Sequence, residues 1–368
     1  MPEGAYIDAL AAIVDTIVRP QAEEIDRKAT YPSDAIDALG RAGLLGLISS
    51  PDVGGLGGGF RDACRVVEEL ARHCGSTAMV VLMHYAATAV LEAHGPVAVR
   101  KAIAAGQYVT TLAFSEVGSR SMFWAPTSTP SDARKSWVTS ASHAHGYVWS
   151  SRPAAADAEG MSTIWLVPAD RPGLAVGAPF DGLGLRGNDS RPVTADGLAL
   201  TDNDRLGPDG GGFDIMLGVV LPWFQVMSAA VSVGLADACV AAAAGHAGST
   251  RFEHLDEVLA ENLVVRSNVA RMRVQTDQAS ALVADTLAAL EAGRDDATLR
   301  VLECKAAASE MALAVTSLGM RVCGGAAFRK EVGVERRFRD AQAATVMAPT
   351  TDTLYDFLGR VLCGLPLF

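Results

Sequence analysis

The spacing of hydrophobic residues divides the chain into a helical part, a strand-rich part and a second helical part. Over residues 5–108 apolar side chains such as Leu10 and Val14 recur every three to four positions, which indicates amphipathic helices. Over about 108–205 short apolar runs alternate with Gly, Pro and Asp turns, which is typical of strands. Long apolar-periodic stretches return after residue 212. The predicted domains are residues 1–108, 109–205 and 206–368.

These periods predict an α+β multi-domain fold with an N-terminal helical domain, a central antiparallel β-barrel and a C-terminal four-helix bundle. Pro20 is expected to interrupt the first helix, because it lacks the N–H that a helix interior uses. The predicted strands are 108–114, 136–140, 147–151, 162–167 and 193–200. The predicted bundle helices are 213–247, 255–291, 297–322 and 340–363.

Charge and cysteine content exclude several classes of protein. The chain of 368 residues has 31 basic and 42 acidic residues, and this net charge of −11 argues against nucleic acid as the main partner. Its six cysteines form no CxxC pair, which favours reduced core thiols over a disulfide framework or a metal site. We find no signal-peptide pattern and no run of 18 apolar residues, and therefore expect a soluble, cytoplasmic protein without a membrane span.

The segment 132–151 contains the most informative chemistry. Trp137 and Thr139 stand two residues apart in a strand-like run and are expected to share one face. An aromatic plate next to a hydroxyl donor suits a flat heteroaromatic ring, because the plate can flank the ring and the hydroxyl can bond its polar edge. The same pattern also fits an ordinary amphipathic strand, so both readings stay open on the residues alone.

The run Lys-x-Trp-Val-Thr-Ser at 135–140 resembles the flavin-contacting strand of the acyl-CoA dehydrogenase family. Further segments resemble motifs of that family in the same order along nearly the whole chain. They are 41–47 with Pro51 and the glycine loop 54–59, 112–121, 182–190, Gly324-Gly325 and 335–340. Together these motifs imply the family's domain order and a flavoprotein.

The resemblance implies a cofactor, a substrate and an assembly. The cofactor is expected to be FAD, with FMN as the alternative. The substrate is expected to be an acyl thioester of CoA or a carrier protein, in fatty acid metabolism, with an electron-transfer protein or reductase as partner. A homodimer or homotetramer is expected, since the family's flavin lies across a subunit interface. The implied cofactor-binding residues are Phe114, Ser115, Gly118, Ser119, Ser121, Trp137, Thr139, Ser140, Arg321, Gly324, Gly325 and Thr350, and no metal is expected.

The chain departs from the family where the catalytic base is concerned. The family's commonest members carry a Glu at the position of Ala348, and the other customary position falls near Thr250, which is no carboxylate either. Two residues are candidates for the missing base. Asp352 lies one helical turn beyond Ala348, although it could simply cap the last helix. His84 lies on an apolar helix that borders the acyl pocket in the family, although a satisfied core histidine is the alternative.

Three functions therefore remain open. The first is α,β-dehydrogenation of an acyl thioester, in which a base removes the α-proton while a hydride passes to flavin N5. The second is a flavin-dependent monooxygenase on the same fold, which needs no carboxylate base at the α-carbon. The third is a non-catalytic subunit of a heteromeric dehydrogenase, which could lack a base that its partner supplies.

Overall fold

The N-terminal part is helical. The computed structural model describes residues 3–119, 122–254 and 256–367. The helices of the N-terminal part are α1 (Glu3–Ile13), α2 (Arg19–Lys28), α3 (Ser33–Arg41), α4 (Phe60–His73), α5 (Gly75–His94) and α6 (Val97–Ala104). Sixteen of the twenty residues of α5 are buried, so this helix runs through the interior.

Pro20 does not interrupt the first helix, contrary to the prediction. A π-helical turn, Val14–Val18, joins α1 to α2 without a break, and Pro20 stands in the first turn of α2. The wider turn accommodates a residue that has a ring in place of an N–H donor. The same device recurs before Pro222, where the π-helical turn Met216–Val220 leads into the long helix of the C-terminal part.

The central part consists of short strands in two sheets. Its strands are β1 (Thr110–Ala113), β2 (Ala133–Val138), β3 (Gly146–Ser151), β4 (Thr163–Pro168), β5 (Leu174–Val176), β6 (Arg191–Ala195) and β7 (Arg205–Leu206). Among the described residues of this part, one sheet has the order β1-β3-β4-β7 and the other has the order β2-β6-β5. All pairs are antiparallel except β1 with β3, which is parallel because a long connection through β2 brings the chain back in the same direction. A separate core that includes Trp149 and Trp165 belongs to this region.

The described residues of the C-terminal part form three long helices and a divided fourth. Its helices are α7 (Gly212–Ile215), α8 (Leu221–Ser249), α9 (Leu263–Ala292), α10 (Ala297–Cys323), α11 (Val334–Ala341), α12 (Ala343–Val346) and α13 (Thr351–Leu362). The prediction of helix is wrong over the described residues 256–262, because α9 begins only at Leu263. β9 (Glu257–Val258) pairs with β8 (Arg251–Phe252), and the Asn262 side chain caps α9 by accepting from the Val264 N–H at 2.9 Å. The predicted helix 340–363 is divided at 347–350, where Pro349 cannot continue a helix.

Three helical stretches in the described chain are long and apolar enough to cross a membrane, judged by length and composition alone. They are Gly75–His94, Gly212–Ser249 and Ala297–Phe328. In the first two, 83% of the apolar window is buried inside the protein, compared with 44% in the third. Packing against other helices therefore accounts for the apolar character of the first two.

Candidate active site

A cavity of about 770 Å³ receives side chains from all three parts of the chain. It is bounded by α5, β1 and the residues after it, the end of β2, the segment 179–191, the start of α8 and the segment 343–349. One group of lining side chains is apolar: Met79, Met83, Leu112, Phe123, Leu221 and Phe224. A second group is aromatic or carries hydroxyls: Ser115, Ser119, Ser136, Trp137, Thr139, Phe180 and Ser190. This mixture is typical of a site for a cofactor or a small molecule.

Trp137 and Thr139 both line the cavity, but a bulge brings them there and not the regular strand period. The ladder of β2 with β6 is irregular between Lys135 and Val138, and Trp137 has a left-handed backbone with φ of 56°. Bulges re-aim side chains in this way. The Trp137 ring stacks on Phe180 with centroids 4.2 Å apart, yet the residue stays 61% exposed, so aromatic surface remains accessible for a second ring.

A buried ion pair supports the residues between β1 and β2. The Nζ of Lys135, which is fully buried, donates to Glu116 Oε1 at 2.6 Å and to the Ser150 carbonyl at 2.6 Å. Glu116 also accepts from the Thr127 N–H at 2.6 Å and from the Ser128 N–H at 3.1 Å. Burial raises the pKa of Glu116, but the charge and hydrogen bond of Lys135 and the hydrogen bonds from the Ser128 and Thr127 hydroxyls outweigh it and lower the pKa to about 2. Glu116 is therefore an ionised structural group and not a proton acceptor.

Every carboxylate that lines the cavity within the described residues already has a cationic partner. Glu116 is paired with Lys135, and the exposed Asp181 accepts from Arg186 at 2.7 Å. Asp189 accepts from Arg191 and from the N–H and hydroxyl of Ser142, which together lower its pKa although burial raises it. No histidine is among the described residues that line the cavity. The described part of the cavity thus lacks an unengaged group of the kind that takes a proton from carbon.

His84 is held in the core and does not line the cavity. Its Nε2 lies 2.9 Å from the Leu45 carbonyl, and its Nδ1 accepts from the Thr110 N–H at 3.2 Å. These partners fix the tautomer with the proton on Nε2. Burial lowers the pKa of His84 to about 4, so the ring is neutral but has no free lone pair for catalysis. His84 is therefore a core histidine with both ring nitrogens hydrogen-bonded, while Met79 and Met83 on the same helix line the cavity.

Asp352 lies in the first turn of α13, is exposed and does not line the cavity. The cap of this helix is Thr350, whose Oγ1 accepts from the Thr353 N–H at 3.4 Å. A carboxylate in a first helical turn is favourable because the N-terminal end of a helix is partially positive. Ala348 does line the cavity. Ala348, the position of the family's base, therefore lies at the cavity, whereas the predicted substitute Asp352 does not.

The other predicted cofactor residues are divided between this cavity and the rest of the chain. Phe114, Ser115 and Ser119 line it, and Gly118 has φ of 86°, a conformation that suits glycine. Ser140 is buried with φ of 55° and does not line it. Ser121 lies outside the described residues. Arg321, Gly324 and Gly325 are exposed at the end of α10, away from the lining.

Two parts of the lining were not assigned from the sequence. The segment 179–191 contributes Phe180 and Arg186. The sequence marked 182–190 as a family motif but assigned no site residue to it. The start of α8 contributes Phe224, which the helical period marks only as core. In the segment 179–191, Phe180 stands close to Gly182. This pairing of an aromatic residue with a glycine is the one signal in the sequence that could have indicated a contact with a flavin ring.

Comparisons with known proteins agree with this geometry. The model for the acyl-CoA dehydrogenase N-terminal domain matches residues 3–106, and the model for the acyl-CoA dehydrogenase C-terminal domain matches residues 210–363. The probable acyl-CoA dehydrogenase YngJ of Bacillus subtilis (strain 168) is 25% identical over 360 residues, which cover 91% of each chain. A glutaryl-coenzyme A dehydrogenase in complex with glutaryl-CoA shares the fold with a TM-score of 0.90 at 22% identity, over 99% of this chain and 95% of that one. FMN-bound TdsC from Paenibacillus sp. A11-2 shares it with a TM-score of 0.88 at 22% identity, over 98% of both chains.

The fold has helical N- and C-terminal parts around a central β region, and the family models make the chain a flavoprotein oxidoreductase. The chain belongs to the acyl-CoA dehydrogenase family.

Proposed function

We propose that the protein is an FAD-dependent enzyme that introduces an α,β double bond into an acyl thioester. The observation that carries this proposal is the cavity, in which an apolar group of side chains and the aromatic and hydroxyl group around Trp137 line one space in a chain of this family. The apolar group suits an acyl chain, and the second group suits a flavin ring. The glutaryl-CoA complex of a protein with the same fold supports a thioester as the substrate.

The residues present fit the ring half of a flavin. Trp137 offers an aromatic face that is accessible to a second ring, and the Thr139 and Ser115 hydroxyls can bond a polar ring edge. When bound, the flavin would accept the hydride that leaves the β-carbon. The chain itself would orient the acyl group along Met79, Met83 and Phe224 and exclude water from it.

The adenosine half of FAD requires residues beyond this cavity. Arg321, Gly324 and Gly325 are exposed at the end of α10, which favours their use by a second copy of the chain. We therefore propose a homodimer or homotetramer in which Arg321 places a positive charge near the pyrophosphate of the neighbouring FAD. Sedimentation of the FAD-bound protein tests this, and a stable flavin-bound monomer would refute it.

A second candidate function is a flavin-dependent monooxygenase. One observation favours it: every described carboxylate of the cavity is paired, and Ala348 replaces the family's base. Insertion of oxygen does not require a carboxylate at the α-carbon, and TdsC shows that a flavin protein of this fold can hold FMN. The same observation is compatible with a subunit whose partner supplies the base.

One experiment separates these functions. The protein is loaded with FAD and mixed without oxygen with short, medium and long saturated acyl-CoAs, and flavin absorbance is followed in a stopped-flow instrument. Bleaching by any of them supports the dehydrogenase. If none bleaches the flavin, but the chemically reduced protein consumes oxygen and an ¹⁸O atom from O₂ enters an added acyl-CoA, the monooxygenase is supported. Bleaching that requires a second, different chain would support the partner subunit.

A further inference from the structure

Lys305 carries a buried amino group that the proposed reaction does not use. The residue lies on α10 with no measurable exposure, and within the described chain no carboxylate lies within ion-pair distance of it. Its Nζ donates to the Met347 carbonyl at 2.9 Å and to the Pro349 carbonyl at 2.7 Å. Burial lowers the pKa of Lys305 to about 7. A buried cation without a counter-ion costs free energy, so this side chain is a poor means of stabilising the fold.

The two carbonyl groups flank Ala348, and all three residues line the cavity. We call Met347–Pro349 the 348 wall. One turn further along α10, the Ser309 hydroxyl donates to the Ala344 carbonyl at 3.2 Å. Helix α10 therefore contacts α12 through Ser309 and the 348 wall through Lys305, and the two Lys305 contacts lie on either side of Ala348.

The 348 wall has little regular structure of its own. α12 ends at Val346 and α13 begins at Thr351, so the residues between them cannot rely on a continuous helical ladder. The Lys305 Nζ donates to both carbonyl groups, and these hydrogen bonds gain strength when the amine is protonated. The Met347 N–H donates to the Ala343 carbonyl at 3.1 Å, and Lys305 adds contacts to the carbonyl groups on both sides of Ala348.

We propose that Lys305 is a positioning residue that fixes the 348 wall and thereby sets how tightly the cavity holds the acyl part of a substrate. The statement about the acyl part rests on the proposed function. The statement about the wall does not, because it concerns only residues of this chain and their hydrogen bonds.

The test compares Lys305→Met with the native protein. Met has similar length and no charge, so the wall loses both donors while the core stays filled. We expect faster amide hydrogen exchange in a peptide covering 343–350, an apparent affinity for octanoyl-CoA that is about tenfold weaker, and an affinity for FAD within about a factor of two. The melting temperature should stay the same or rise, because a desolvated cation has been removed. Lys305→Gln keeps a shorter neutral donor and should show the same changes to a smaller extent.

Two controls make the test specific. Thr316→Val removes another buried hydroxyl of α10, whose bond to the Ala312 carbonyl lies within the helix, and should leave exchange over 343–350 unchanged. Trp137→Ala alters the aromatic part of the cavity and should show the reverse pattern, with weaker FAD binding and unchanged exchange over 343–350.

The proposal is overturned if exchange over 343–350 is unchanged in both Lys305 variants. It is also overturned if affinity for FAD, affinity for octanoyl-CoA and melting temperature all fall together, since that pattern indicates general loss of structure. If no acyl-CoA perturbs the native flavin spectrum, the proposed function fails. Amide hydrogen exchange over 343–350 then tests the role of Lys305 separately. Faster exchange in Lys305→Met supports the claim that Lys305 positions the 348 wall, and unchanged exchange refutes it.

Discussion

At the scale of single residues, burial decides which titratable groups are available for chemistry. His84 is the clearest example, because both ring nitrogens are engaged by backbone groups in the core. Its pKa is about 4 in the folded protein, below the ordinary value of 6.5. As the pH falls below 6.5, the unfolded chain binds a proton that the folded chain does not, so stability due to His84 is present above that pH and is lost down to about pH 4. The loss amounts to about 3 kcal/mol.

This loss can be measured by urea unfolding at pH 7, 5.5 and 4. Other groups titrate in the same range, so the matched variant is His84→Leu, which cannot bind a proton. It should be less stable than the native protein at pH 7, because the Leu45 carbonyl and the Thr110 N–H lose their partner. The difference between the two proteins should shrink as the pH falls. A difference that stays constant from pH 7 to pH 4 would show that His84 does not titrate as inferred.

At the scale of elements, strand β2 depends on the pair of Lys135 with Glu116. Removing one partner of a buried ion pair leaves an uncompensated charge and typically costs about 3–5 kcal/mol. We expect Lys135→Met to lower the free energy of unfolding by that amount and to weaken FAD retention, because Glu116 also holds Thr127 and Ser128.

The double variant Lys135→Met/Glu116→Gln provides the control for this prediction. It removes both charges, so it should recover part of the lost stability. Urea unfolding of the two single variants and the double variant completes the cycle. A double variant that loses the sum of the two single losses would show that the two groups do not interact.

At the scale of the whole molecule, Arg339 joins the three parts of the chain. Its guanidinium makes a bidentate pair with Asp26 of α2, at 2.9 and 2.6 Å, and bonds Glu335 at 2.6 Å on its own helix. It also donates to the Leu183 carbonyl at 3.0 Å, in the segment that lines the cavity. The next residue, Asp340, accepts from the Leu185 N–H at 2.6 Å. This cluster positions one side of the cavity relative to both helical parts.

Arg339→Lys should therefore destabilise the protein even though it keeps the charge. Lysine cannot make the bidentate contact with Asp26 and reach Leu183 at once, and we expect a loss of about 1–3 kcal/mol. Arg134→Lys is the matched control, because Arg134 pairs with Asp196 at an exposed site and such pairs contribute about 1 kcal/mol or less. Equal melting temperatures for the two variants would contradict the role given to Arg339.

Local pattern predicted much of the fold and part of the site. The change from helical to strand period along the chain, and the pairing of an aromatic with a hydroxyl at Trp137 and Thr139, are visible in the sequence because they depend on neighbouring residues. The contacts of Glu116 with Thr127 and Ser128 are local as well, since these residues are close in sequence. The start of α9 at Leu263 and the break at 347–350 were missed, because side-chain capping and tertiary packing decide them.

The sequence by itself determined the order of the elements and the absence of a carboxylate at Ala348. Only the tertiary structure decided which side chains share the cavity, because that depends on packing between segments far apart in the chain. It placed His84 against the Leu45 carbonyl and Asp352 in solvent, and it brought Phe180 onto Trp137. The hydrophobic period determines on which face of a helix or strand a residue lies. Contacts between distant parts of the chain determine which residues pack against that face.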